Sequence, residues 1–119
     1  MKNKDVPDLY HITYEILKQV NVISRHIKND YKDTIGFDMR NTAYDIVRNI
    51  IKAHACCDNT RKHILVSSLQ ERIEELSLYL RLAKDLNILS DKRYADVVCN
   101  IGIAGPQIKK WVRFLSKKL

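Results

Sequence analysis

The sequence predicts an all-α protein, an up-down-up-down antiparallel four-helix bundle. Apolar residues recur at steps of three and four in four successive segments, which is the spacing of one helix face. Three short polar gaps separate the segments, so consecutive helices are expected to pack antiparallel. Only 3 Gly and 2 Pro occur in 119 residues, which argues against a turn-rich β protein. The length predicts one domain: we assign residues 8–119 to the bundle and residues 1–7 to a disordered tail.

Each predicted helix has its own apolar stripe. The first stripe covers residues 9–27, and the second covers residues 35–53. The third covers residues 65–83, and the fourth covers residues 94–115 with Val98 as a member. Because the mean step is close to the helical repeat, each stripe is expected to face the core.

The polar gaps contain residues that are typical of helix starts. We expect Asp33 or Thr34 to cap the second helix, a residue among 58–60 to cap the third, and Ser90 to cap the fourth.

Pro106 lies inside the fourth stripe and predicts a kink or a short break near residues 102–106. A bend could follow the bundle surface, whereas a break could let residues 109–119 turn toward a partner.

The charge balance favours a polyanionic partner. The chain has 21 Lys+Arg against 14 Asp+Glu, a formal net charge of +7. Residues 91–119 hold seven basic and two acidic side chains, so most of the excess lies in the last quarter of the sequence.

Composition also bears on location. Three cysteines, two of them adjacent, do not make a disulfide framework, and the polar N-terminus carries no secretory signal, so we expect a cytoplasmic protein. No apolar run approaches the roughly 18 residues of a membrane span, and we therefore expect no membrane partner.

Motifs for catalysis are not found in the sequence. There is no phosphate-binding glycine loop and no metalloprotease or di-iron pattern. His54, Cys56, Cys57 and His63 form the one cluster of possible metal ligands, but their spacing matches no standard zinc pattern. We therefore expect no enzymatic activity, no metal and no cofactor.

Basic side chains at helical spacing form the candidate nucleic-acid-binding site. The candidate residues are Arg40, Arg48, Lys52, Lys109, Lys110, Arg113, Lys117 and Lys118. The first three recur at multiples of four with Tyr44 between them, which predicts one ridge of cations with an aromatic that could stack on a base. The last five follow Asp96, the final acidic residue, and phosphate binding needs several such cations on one face. An ordinary solvated helix surface is the alternative for both groups.

Three segments resemble one known family. Residues 41–50 are similar to its second helix, and residues 80–94 are similar to the turn between its third and fourth helices. The run Ile108-Lys109-Lys110-Trp111 resembles its tryptophan-bearing last helix. The family comprises the accessory variability determinant proteins (Avd) of diversity-generating retroelements and the related four-helix-bundle proteins encoded in intervening sequences of large-subunit ribosomal RNA genes. The resemblance runs in order over most of residues 8–118.

The resemblance implies a basic homopentamer of four-helix protomers without catalytic activity. Such proteins bind nucleic acid, RNA or DNA, and associate with the reverse transcriptase of the retroelement, where they support mutagenic cDNA synthesis and retrohoming. Arg48, Lys109, Lys110 and Arg113 fall in the matching segments. The family often has a glycine-rich approach to the tryptophan, whereas this chain has Gly-Pro-Gln-Ile-Lys-Lys at residues 105–110.

Two alternatives remain at this stage. One is a protein of the intervening-sequence type that binds ribosomal RNA or an unknown partner. The other is a structural adaptor whose basic surface binds RNA or an acidic protein. A neighbouring reverse-transcriptase gene with a template and variable repeat pair would favour the retroelement.

Overall fold

All regular structure in the described part of the chain, residues 8–119 of a computed structural model, is helical. The elements in chain order are α1 (Leu9–His26), α2 (Asn29–Tyr31), a π-helical turn (Lys32–Gly36), α3 (Phe37–Ala55), α4 (Asn59–Asp85) and α5 (Asp91–Ser116). The prediction of an all-α fold is therefore confirmed for these residues. The predicted tail, residues 1–7, lies outside the described residues.

The four long helices enclose a single apolar core. α1 packs against α3 and α5, and α4 packs against the same two helices, which is a four-helix-bundle-like arrangement. Each long helix contributes a fully buried residue of large volume: Ile16 from α1, Ile46 from α3, Leu76 from α4 and Ile108 from α5. Burying one such side chain stabilises a fold by about 1.5–3 kcal/mol, so the stripes account for the packing of the helices.

The apolar stripes of the first three predicted helices face this core, whereas the fourth differs at one position. Val97 of α5 is 1% exposed and Val98 is 38% exposed, so the assignment of Val98 to the core was wrong. Steps of three and four are both helical, and the sequence alone did not distinguish the two valines. In the structure Val97 lines the junction of α5 with Ile23 of α1.

The connection between α1 and α3 also differs from the prediction. Residues 32–36 form the π-helical turn and run directly into α3 at Phe37, so neither Asp33 nor Thr34 caps that helix. The Thr34 hydroxyl instead donates to the carbonyl oxygen of Tyr31 at 3.3 Å. An N-cap requires the backbone to leave the helical region, whereas Gly36 before α3 keeps helical angles.

Two other predicted caps are confirmed. The Asp58 carboxylate accepts a hydrogen bond from the Thr60 amide at 3.1 Å and caps α4. The Ser90 hydroxyl accepts one from the Arg93 amide at 3.2 Å and caps α5. Each satisfies a backbone donor that the helix itself leaves unpaired.

Helix α5 continues through Pro106 without a break. The helix extends from Asp91 to Ser116, with Ile108 and Leu115 buried beyond the proline. The interpretation in which residues 109–119 break away toward a partner was therefore wrong, because residues 109–116 remain packed on the bundle.

Candidate nucleic-acid interface

The ends of α3 and α5 and the start of α4 meet at one place. His63, in the second turn of α4, has its Nε2 atom 3.0 Å from the hydroxyl oxygen of Ser116, the last residue of α5. The ring of His54 in the last turn of α3 stacks on Trp111 of α5, with 5.0 Å between ring centroids. Only residues 56–58 separate α3 from α4. We call residues 52–63 together with residues 109–119 the basic end.

The basic end accounts for the whole net charge of the protein. It contains eight of the 21 Lys+Arg side chains and one of the 14 Asp+Glu side chains, Asp58. The rest of the chain therefore has 13 basic and 13 acidic side chains, whereas the formal net charge of the protein is +7. Because the fold brings these two segments together, a charge excess that is modest for the chain becomes concentrated at one end.

The cations of the basic end form no ion pairs within residues 8–119. They are Lys52, Arg61, Lys62, Lys109, Lys110, Arg113, Lys117 and Lys118. All are exposed except Lys62, which is half-buried, and none forms an ion pair with another residue of 8–119. By contrast, Arg72 in the middle of α4 is hydrogen-bonded to Glu75 at 2.9 Å, which raises the pKa of its guanidinium. Unpaired exposed cations remain available for phosphate groups.

Six of the eight predicted site residues lie at the basic end, and two do not. Arg48 pairs with Asp45 at 2.9 Å and lies over the Tyr44 ring, 5.6 Å from its centroid. Arg40 is half-buried near Gly36 at the start of α3. Twelve residues of helix place it about 18 Å from Lys52 along the axis. The predicted ridge of α3 is therefore divided between the basic end and the middle of the bundle.

Among the five cations of residues 109–119, Lys109 is the farthest along the chain from the end of α5. It lines a cleft of about 210 Å³ between α4 and α5, together with Gln70 and Glu74. A carboxylate in the same cleft reduces the local positive potential. We therefore expect an anionic ligand to be attracted more strongly to the cations closer to Ser116 than to Lys109.

A cleft at the junction of α3 and α4 contains a cation that the sequence interpretation missed. Lys52, Ala55, Cys56, Arg61 and Leu65 line about 270 Å³ there. Arg61 and its neighbour Lys62 were not among the predicted site residues. The signal that could have identified them is the short second gap, since it places the first turn of one helix beside the last turn of the preceding one.

Three of the four members of the possible metal cluster make other contacts. His54 stacks on Trp111, His63 is bonded to Ser116, and the Cys56 thiol donates to the Asp58 carbonyl oxygen at 3.5 Å. All three cysteines are free. Within residues 8–119, no three His, Cys, Asp or Glu side chains are grouped so that they could hold a metal ion.

Comparison with known proteins gives no family. No family model matches the sequence, and no curated protein matches it. Across residues 8–119, every helix is too short or too polar to cross a lipid bilayer.

Proposed function

We propose that this protein is a non-enzymatic nucleic-acid-binding accessory protein of a diversity-generating retroelement. In this role it associates with the reverse transcriptase and supports mutagenic cDNA synthesis and retrohoming. The observation that carries the nucleic-acid part of the proposal is the basic end, which contains eight Lys and Arg side chains and one acidic side chain. The retroelement part rests on the resemblance of residues 41–50, 80–94 and 108–111 to the Avd family.

The proposed mechanism is electrostatic. Lys and Arg side chains of the basic end bind phosphate groups and release condensed counterions, so the affinity depends on salt and little on base sequence. Arg113 lies in the last turn of α5, and Lys117 directly follows the helix, four residues later. Lys52 and Arg61 line the cleft across the junction of α3 and α4. Together they can contact several phosphates of one backbone.

We further propose the up-down-up-down order of the helices and assembly into a cytoplasmic homopentamer. The order is supported by the contacts between α3 and α4. Asn49 donates to Ser68 at 2.9 Å, and Asp45 lies 3.9 Å from Arg72, so the residue numbers rise in one helix as they fall in the other. A pentamer would bring five basic ends into one particle and strengthen its attraction for a polyanion.

Binding measurements over a range of salt concentrations test the nucleic-acid part. The purified protein is titrated against a labelled RNA and a DNA of the same length, from about 50 to 200 mM salt. We expect the affinity to fall steeply with salt, since each neutralised phosphate contributes about 0.7–0.9 to the logarithmic slope. A flat response would overturn the electrostatic mechanism, and the absence of binding to either probe would favour an adaptor for an acidic protein.

The gene neighbourhood and a binding assay test the retroelement part. We expect a reverse-transcriptase gene and a template and variable repeat pair beside the gene for this protein. The reverse transcriptase encoded there should bind the purified protein in a pull-down assay. A location inside a large-subunit ribosomal RNA gene would instead support the intervening-sequence alternative.

A further inference from the structure

Aromatic side chains lie among the cations of the basic end. The His54 ring stacks on Trp111 at 5.0 Å between centroids and 28° between planes. Phe114 follows Trp111 by three residues on α5, so the two occupy adjacent positions on the helix surface. The Nζ atom of Lys118 lies 4.5 Å from the centroid of the Phe114 ring. Two exposed rings, His54 and Phe114, thus lie at the basic end, and one of them contacts a cation.

The exposure of these rings is not explained by the packing of the core. His54 is exposed, while Trp111 beneath it is half-buried and fixes the orientation of its ring. Phe114 is 55% exposed, although phenylalanine is among the side chains most often buried. An exposed ring held beside unpaired cations is the arrangement with which proteins bind unpaired bases.

We propose, on the basis of the function proposed above, that the basic end binds single-stranded nucleic acid, with unpaired bases stacked on His54 and Phe114. The neighbouring Lys and Arg side chains contact the phosphates of the same strand. A duplex hides the faces of its bases within the helical stack, whereas a single strand presents them together with a flexible backbone. The proposed site is tolerant of sequence, because every base has a π-face.

Separating the contribution of the bases from that of the phosphates requires two matched probes. One is a labelled single-stranded oligoadenylate of about 16 nucleotides, the upper end of the usual site size for one single-strand-binding domain. The other is an abasic oligonucleotide of the same length and charge. We expect the oligoadenylate to bind more tightly at equal salt, by about 5- to 150-fold for each base that stacks on a ring.

Phe114→Leu tests the aromatic group, because leucine retains apolar volume and has no ring. We expect it to lower the preference for the oligoadenylate by the contribution of one stacked base, about 5- to 150-fold, and to leave binding of the abasic probe unchanged. Phe37→Leu is the matched control, since Phe37 is the only other phenylalanine and is 49% exposed at the start of α3, away from the basic end. His54→Leu is a second variant with the same expected effect, and circular dichroism checks that each variant keeps its helical content.

The possible outcomes are distinguishable. Equal affinity of the unmodified protein for the two probes would overturn the stacking proposal, while a steep salt dependence would leave the electrostatic function intact. A preference that survives both Phe114→Leu and His54→Leu would also overturn the proposed site. The absence of binding to both probes would overturn the proposed function together with this inference.

Discussion

The imidazole of His63 and the hydroxyl of Ser116 lie 3.0 Å apart, although 53 residues separate them in the chain. The same hydroxyl donates to the Val112 carbonyl oxygen at 2.9 Å, so the contact ties the last turn of α5 to the beginning of α4. Arg113 and Lys117 are thereby held on the same end of the molecule as Arg61. The basic end therefore forms only when the chain folds, because its cations come from separate segments of the sequence.

Removing three cations from the last turns of α5 and the residue that follows it should weaken nucleic-acid binding. In the variant Lys110→Gln, Arg113→Gln and Lys117→Gln, three exposed and unpaired charges are lost without loss of a buried contact. Because each lost phosphate contact lowers the salt slope by about 1, the slope should decrease by about 3. Fluorescence anisotropy with a labelled RNA at several salt concentrations measures both the affinity and its salt slope.

The control removes the same number of charges away from the basic end. Arg25, Lys28 and Lys92 are exposed, and none forms an ion pair within the described chain. Replacing these three residues by glutamine should lower the net charge by the same amount as the triple variant of the basic end. It should lower the salt slope much less. Equal effects of the two triple variants would show that the net charge alone governs binding.

Truncation of two leucines of α4 should change the stability of the protein by very different amounts. Leu76 is fully buried, and Leu78, two residues later, is 65% exposed. Leu76→Ala should lower the free energy of unfolding by about 2–5 kcal/mol, because it leaves a cavity in the core, whereas Leu78→Ala should change it by less than about 0.5 kcal/mol. Urea unfolding followed by circular dichroism gives both values. A large loss from Leu78→Ala would contradict the packing of α4, unless light scattering showed that this residue is buried between copies of the chain.

The two adjacent valines of α5 test the orientation of that helix. Val97→Ala should destabilise the protein by about 1.5–3 kcal/mol, the value of burying a valine, because Val97 is 1% exposed. Val98→Ala should have a small effect, because Val98 is 38% exposed. A larger loss of stability from Val98→Ala than from Val97→Ala, measured by urea unfolding, would support the assignment of Val98 to the core that was made from the sequence.

The fold was predictable because a helix face imposes a period on apolar residues, and four such periods occur in the sequence. Which individual side chain faces the core was less predictable where two adjacent residues have equal hydropathy, as Val97 and Val98 have. The turn at residues 32–36 was missed for another reason. Asp33 and Thr34 are suitable caps by type, but the backbone there continues as a π-helical turn into α3.

The sequence predicted which cations of the candidate site share one helix, but not which helices bring their cations together. The absence of acidic residues after Asp96 pointed to the end of α5. By contrast, the pairing of Arg48 with Asp45 at 2.9 Å depends on side-chain geometry. Arg61 and Lys62 belong to the basic end through the packing of α4 beside α3 and α5, a tertiary relationship that the spacing within one helix does not encode.

If the packing of α4 places its first turns in the interface, Arg61 and Lys62 should contribute to binding like the cations of α5. Arg61 lines the cleft with Lys52, and both residues are free of ion pairs within residues 8–119. The variant Arg61→Gln with Lys62→Gln should lower the salt slope by about 2, and combining it with the triple variant of α5 should lower the slope by about 5. Lys28→Gln with Lys32→Gln is the control of equal charge at the α1–α3 connection. If the Arg61 and Lys62 variant behaved like this control, the interface would be confined to α5, and the contribution of the α3–α4 junction would be contradicted.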